Sequence, residues 1–302
     1  MESNLIFYAL IPIQMRLVIL FIFPLLLECK FGVELPGYSP LALVSTLPAP
    51  LNESSGLARA DDSTLFTHND SGNPPVIYQI SGGTGRITGK FNIPGVTNKD
   101  WEELAADSGF IYIGDIGNNA GTRKDLVIYK VNKSFFTGNS DISVGSIRYL
   151  YPEQTYFGPG RHNFDCEAMI AWGDSLYLFT KNRKDRMTDV YRLPKSPGDY
   201  RALLVGHFDT GGLITAADFR PGENNQLALL GYVSNGSRLK SFLWVFRGFQ
   251  QTDFFGGKAT RTELANDLQA EAILFTSDTT LLITNEEESG TTGKLYKLNL
   301  GK

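Results

Sequence analysis

Two cysteines and three histidines in 302 residues leave no material for a disulfide framework, a Cys/His zinc site or a histidine-rich metal centre. No G-x-S-x-G elbow, H-E-x-x-H pair or Walker loop occurs, so the usual hydrolase, metalloprotease and nucleotide-binding signatures are missing. No organic cofactor is expected. Charge of one sign is lacking as well. The 28 Lys and Arg against 32 Asp and Glu leave a formal charge of -4, with no basic footprint for nucleic acid. From residue 40 onward helical periodicity is absent too, which argues against an α-helical core.

Long apolar runs are confined to the beginning of the chain. Leu17 to Leu27 reads LVILFIFPLLL, preceded by Met15-Arg16 and followed by Glu28-Cys29-Lys30. A basic residue before such a run is the form of a secretory signal. Cys29 stands where bacterial lipoproteins carry their lipidated cysteine, although Glu28 occupies a place where a small residue is usual. The alternative is an uncleaved anchor over residues 5–27, interrupted by Pro12, Arg16 and Pro24. The expectation is therefore an export segment at 1–29, a linker at 30–39 and one domain over 40–302. Such a protein is exported, held in the cell envelope by lipid or anchor or else secreted, and monomeric.

What is present after residue 40 is a series of short β-rich runs ending in Gly, Asn or Asp, among them TLFTHND, FIYIGDIGNN, SLYLFTKN and TLLITNEE. Short runs at regular spacing indicate an all-β sandwich, barrel or propeller, and an internal repeat selects the propeller. ESSGLA, DWEELA, DCEAMI, TAADF and QAEAIL align when Ser55, Glu102, Glu167, Ala217 and Glu271 are equated, with steps of 47, 65, 50 and 54 residues. Each is followed by three further strand-like runs, which make a four-stranded blade. The fold class is thus a single five-bladed β-propeller. A sixth blade would have to hide in the long second step, where residues 132–164 read as the end of a blade plus a loop. The last repeat has only three strands, and 41–48 (LALVSTLP) is an unpaired strand. Pairing it with residues 294–300 closes the ring and protects a sheet edge.

Alternating strand directions put the loop before strand one and the loop between strands two and three on the same end of the ring. Those loops hold Glu53, Asp100, Asp165 and Glu271, then His68-Asn69-Asp70, Asp115 with Asn118-Asn119, Lys181-Asn182-Arg183 and Asn285-Glu286. Glu102, Glu167 and Glu271 share one register of the innermost strand, so they converge on the axis. Three carboxylates together need an offsetting cation. Calcium suits them, because it takes six to eight oxygen ligands. Glu102, Glu167, Glu271 and Asp165 are the expected metal ligands. His68, Asn69, Asp70, Asn118, Asn182 and Arg183 are the expected ligand contacts, and Lys181 and Asp115 the catalytic candidates. A structural alternative stands beside this: an inward Glu accepts backbone N–H groups from a neighbouring blade, and Asp caps turns.

The phrases SGLA, THNDSG, DWEELA, YIGDIGNN and D-x-E-A together resemble a group of exported bacterial propeller proteins of unsettled function, distantly similar to phytase-like and esterase-like propellers. The resemblance covers residues 50–185 best. It implies the fold and, more remotely, calcium-dependent phosphoesterase activity, for which the basic residues available are Lys181, Arg183 and Arg161. Two functions follow as expectations: a tethered propeller that binds a ligand or partner at an acidic axial face, with a divalent cation, or a metal-assisted hydrolase of phosphate or carboxylic esters. In the second, Glu102, Glu167, Asp115 and Glu271 hold the ion and Lys181 steadies developing negative charge.

Overall fold

The structure is a computed structural model that describes residues 38–138, 141–235, 238–265, 268–286 and 292–300. The expected export segment lies outside the described residues. Among these residues no helix is long and apolar enough to cross a membrane.

Five sheets follow one another along the chain, each running from an innermost to an outermost strand. Blade 1 is Ser54–Arg59, Thr64–Asn69, Val76–Ser81 and Ile87–Asn92. Blade 2 is Trp101–Ala106, Phe110–Asp115, Leu126–Asn132 and Val144–Leu150, with Gly198–Arg201 added in parallel at its edge. Blade 3 is Cys166–Trp172, Ser175–Thr180, Thr188–Pro194 and Leu203–Phe208. Blade 4 is Leu213–Arg220, Gln226–Asn235, Arg238–Arg247 and Lys258–Leu264. Tyr38–Ser39, at the end of the expected linker, joins its edge in parallel. Blade 5 is Ala270–Ser277, Thr280–Asn285 and Lys294–Asn299, completed by Ala42–Thr46. That closing strand pairs antiparallel with Lys294–Asn299, as its unpaired state in the sequence requires.

Both faces of a blade are covered by its neighbours, so the middle strands are apolar on both sides. Ile111, Tyr112 and Ile113 of one strand are all fully buried. Five apolar clusters result, one at each seam between adjacent blades. The cluster joining Leu57, Leu65 and Val76 of blade 1 to Leu274 and Leu282 of blade 5 shows that the ring is closed.

The innermost strands are not regular. In every blade the pairing with strand two skips one residue near the start: Ser55, Glu102, Glu167, Thr215 and Glu271. A bulge leaves one residue outside the ladder and re-aims its side chain. This register corrects the sequence alignment in blade 4. The equivalent of the three glutamates is Thr215 and not Ala217, two residues on; with no glutamate in that strand, the sequence offers nothing to fix its register.

Candidate functional site

The register defines two rings of positions at the end of the propeller where the innermost strands begin. One is the bulge itself. In blades 1 and 4 it carries hydroxyls that bond the next blade's backbone: Ser55 Oγ donates to Glu102 O at 3.0 Å, and Thr215 Oγ1 to Ala270 O at 2.7 Å. In blades 2, 3 and 5 it carries glutamate. The other ring stands beside the bulge, where strand two runs out in four blades and continues to Asn235 in blade 4: Asp70, Ile116, Lys181, Tyr232 and Glu286. Four of these donate a backbone N–H to the residue leading into strand one, Asp70 to Glu53 O (3.0 Å), Ile116 to Asp100 O (3.2 Å), Lys181 to Asp165 O (2.8 Å) and Glu286 to Gln269 O (3.3 Å). Tyr232 is paired with Leu213 in the same place.

Side chains from both rings meet in an axial cavity of 180 Å³ lined by Asp70, Glu102, Asn119, Glu167, Lys181, Arg183, Tyr232, Gln269, Glu271 and Glu286. Glu102, Glu167 and Glu271 are 6%, 4% and 5% exposed, so the three glutamates do converge, and they do so out of bulk water. With Asp100 at the margin, six carboxylates face two cations.

One oxygen each from Asp70, Asp100 and Glu102 lie within 4.8 Å of one another, a spacing that would hold a cation. Burial, then the charge of Asp70, pushes the Asp100 carboxyl up to about 6. Burial raises Asp70 also, with Glu53 adding to it. Glu102 is pushed well above the carboxylate range by burial and by Glu167 and Asp70. Gly117 closes the back of this triad: a β-carbon there would collide with the carboxylates of Glu102 and Asp100. In the same cavity Glu271 has a buried Oε1 with no hydrogen-bond partner among the described residues. Its carboxyl is also raised well above its usual range by burial, against the pull of Lys181.

The other expected residues divide differently. Lys181 Nζ donates to Glu167 Oε2, and its ammonium lies 5.1 Å from the Tyr232 ring centroid. Burial opposes that charge, but Glu167 and Glu271 more than offset it and raise the Lys181 pKa. Arg183 pairs with Asp165 at 2.8 Å, reaches Glu167 at 3.5 Å and donates to Asn119. Asp165, expected as a metal ligand, is outside the cavity lining. Its Oδ1 accepts Asn118 N–H at 2.8 Å and its Oδ2 is held by Arg183, so it tethers two loops. Asp115, expected as catalytic, pairs with Arg123 at 2.8 Å and accepts Asp100 N–H at 3.2 Å, also away from the cavity.

Asn118, Asn182, Asn69 and His68 are likewise placed outside the lining. Asn118 Nδ2 donates to Phe164 O at 2.9 Å, locking the loop of blade 2 to that of blade 3. Asn182 Nδ2 donates to Asp189 Oδ2 at 3.1 Å within blade 3, and Asn69 Nδ2 to Pro50 O at 2.8 Å. His68 is fully buried edge-on to Trp101, with ring centroids 5.5 Å apart. Burial drives its pKa down to about 4. A β-carbon on Gly56 would sit 2.7 Å from its Nε2, so the ring fits only against glycine.

Two residues escaped the sequence reading. Tyr232 replaces a polar loop residue with an aromatic, and no repeat motif marks it; only the strand register does. Glu103, beside the bulged Glu102, is fully buried. Its Oε1 accepts Leu104 N–H at 2.9 Å, and its Oε2 accepts Ala217 N–H of blade 4 at 3.1 Å. Its equivalents are Gly56, Ala168, Ala216 and Ala272, all small, which leaves it the room. Glu103 thus plays a role akin to the strut considered for inward glutamates, although the backbone it bonds is that of blade 4 and not of a neighbouring blade. A lone large polar residue in a ring of small ones is the signal that could have found it.

No family model matches the chain, and no curated protein does either. Solved structures similar to it include the PQQ-bound aldose sugar dehydrogenase of Streptomyces coelicolor, 12% identical, with a TM-score of 0.48, covering 86% of this chain and 97% of that one. Others are extracellular domains 1–2 of Drosophila Semaphorin 1b (12% identity, TM-score 0.37, 82% of this chain and 64% of that one) and YCF48 bound to D1 peptide (10%, 0.35, 88% and 96%). The assignment as a five-bladed β-propeller rests on this chain's own sheet order.

Proposed function

We propose that this propeller binds an oxygen-rich ligand at its acidic axial mouth through a divalent cation, calcium by its preference for hard oxygen donors. The observation that carries the proposal is the convergence of Asp70, Asp100 and Glu102 within 4.8 Å. Their carboxyls are all raised by burial, which Lys181 near Asp70 and Arg123 near Asp100 do not offset. The Oε1 of Glu271 in the same cavity, without a partner among the described residues, points to the same deficit. Three carboxylates leave several calcium positions to solvent or to ligand oxygens. Asn119, Arg183 and Tyr232 supply donors and an apolar face beside them.

Binding is favoured over ester hydrolysis because the expected catalytic groups are committed elsewhere, Lys181 to Glu167 and Asp115 to Arg123. The proposal keeps the protein outside the cytoplasm on the strength of the Leu17–Leu27 run and Cys29. Mass analysis of the mature chain tests that part, with a chain starting at Cys29 expected.

The test of the site is the melting temperature with calcium and with chelator. Calcium at about 100 times its Kd should stabilise the wild type by about 2.7 kcal/mol, because it binds only the native state. Glu102→Gln and Gly117→Ala should each abolish most of that rise, the first by removing a ligand and the second by crowding the triad. A wild type indifferent to calcium and to other divalent ions would end the proposal.

A further inference from the structure

At the opposite end of the ring, where the innermost strands finish, lies a second cavity of 250 Å³ lined by residues of all five blades. It shares Ala106, Asp107, Ala171, Phe219 and Pro221 with a groove of 450 Å³ that extends over the hairpins of blades 2 and 3. Its electrostatics are the reverse of the acidic mouth. Arg59 donates to Phe275 O, and Lys133 Nζ donates to Arg59 O at 3.3 Å. Neither forms an ion pair with a carboxylate among the described residues. Burial lowers the Lys133 pKa, with Arg59 adding to the effect and Asp107 opposing it, as for a cation short of a counter-ion.

The acids nearby do not fill that need. Asp107 is held by Lys195 at 3.0 Å and by the Tyr112 hydroxyl at 2.8 Å. Asp218 accepts Phe275 N–H at 2.6 Å, and burial pushes its carboxyl up to about 7, so it is half neutral at neutral pH. The adjoining groove, which shares Phe219 with this cavity, has an apolar wall. Trp172 and Phe219 lie with ring centroids 4.7 Å apart and planes 35° to each other, both half-buried. Partly exposed aromatic faces near half-buried cations that have no carboxylate partner are the two halves of a site for a ring that carries an acid group.

We infer that this second mouth binds a small organic anion, its carboxylate, sulfonate or phosphate on Arg59 and Lys133 and its flat ring against Trp172 and Phe219. The site is independent of the cation-dependent mouth, since the two share no lining residue.

The probe is 2-naphthalenesulfonate, titrated calorimetrically against the full chain, with 2-naphthol and inorganic sulfate as separate arms. One site per chain is expected, with the same affinity in calcium and in chelator. Both 2-naphthol and sulfate should bind more weakly than the probe. Lys133→Met, which keeps the apolar stem, should weaken the probe about ten-fold, the worth of one charge-assisted hydrogen bond. Trp172→Ala should weaken the probe but not sulfate. Should Arg59→Gln fail to fold through loss of its bond to blade 5, Lys133→Met decides alone. Absence of binding at millimolar probe overturns the inference, as does equal affinity in the wild type and Lys133→Met. Sulfate bound as tightly as the probe overturns it also, since the ring would then contribute nothing.

Discussion

Glu103 and Glu102 are neighbours in sequence with opposite obligations. Glu103 has two backbone N–H groups depending on it, one of them in blade 4. Removing the acceptor leaves buried donors unpaired, which costs about 1–3 kcal/mol for each. Glu103→Ala is therefore expected to lower stability by about 3 kcal/mol in both calcium and chelator, measured by urea unfolding. Glu103→Gln keeps one carbonyl acceptor and should lose less. Glu102→Gln should do the reverse, leaving stability in chelator unchanged or raised while removing the response to calcium. If both glutamates behaved alike in chelator, the division between strut and ligand would be wrong.

At the scale of strands and blades, the closing strand decides whether the ring is shut. Ala42–Thr46 covers the outer edge of Lys294–Asn299, and Leu47 beside it is 4% exposed. Deleting residues 1–47 removes that buried leucine and several ladder hydrogen bonds, worth about 4 kcal/mol together. For a domain of this size that is a fall of roughly 10 °C in Tm, visible by calorimetry, with aggregation through the freed edge. The architecture was readable in sequence because every blade must bury both faces, so apolar strand runs repeat five times and the incomplete ends show. Bulges leave no such trace. They set which residue leaves the ladder without changing composition, so the separate duties of Glu102 and Glu103 are invisible in sequence, and blade 4, which lacks a glutamate, aligns at Ala217 in place of Thr215. Convergence of Glu102, Glu167 and Glu271 was legible for the same reason as the fold: they repeat. The partners of Asp115 and Asp165 were not, because Arg123 and Arg183 sit in loops of different length that no repeat aligns.

The whole molecule should respond to pH in an unusual direction. Carboxyls with folded pKa values above their unfolded ones bind extra protons in the native state, so stability falls as pH rises through the folded values. Asp218, at about 7 against an ordinary 3.8, contributes about 1 kcal/mol between pH 6.5 and 8.5. Glu102 and Glu271, held further up, add to it when no cation is present. His68 acts oppositely: with a folded pKa of about 4, its contribution is complete above its ordinary 6.5 and is lost below that. His68 therefore offsets part of the gain on acidification below about pH 6.5 and none of it above. In chelator, Tm at pH 6.5 should exceed that at pH 8.5 by several degrees, and Asp218→Asn should reduce the difference. A Tm that is flat or rises across this range in chelator would contradict the burial of these acids.

Glu103 has one more consequence, which concerns traffic. It stands in the innermost strand of blade 2 between Glu102, which lines one mouth, and Leu104, which lines the other. By bonding to blade 4 it spans the bore like a bulkhead. The two mouths share no lining residue, so with Glu103 across the bore between them the propeller offers two back-to-back vestibules.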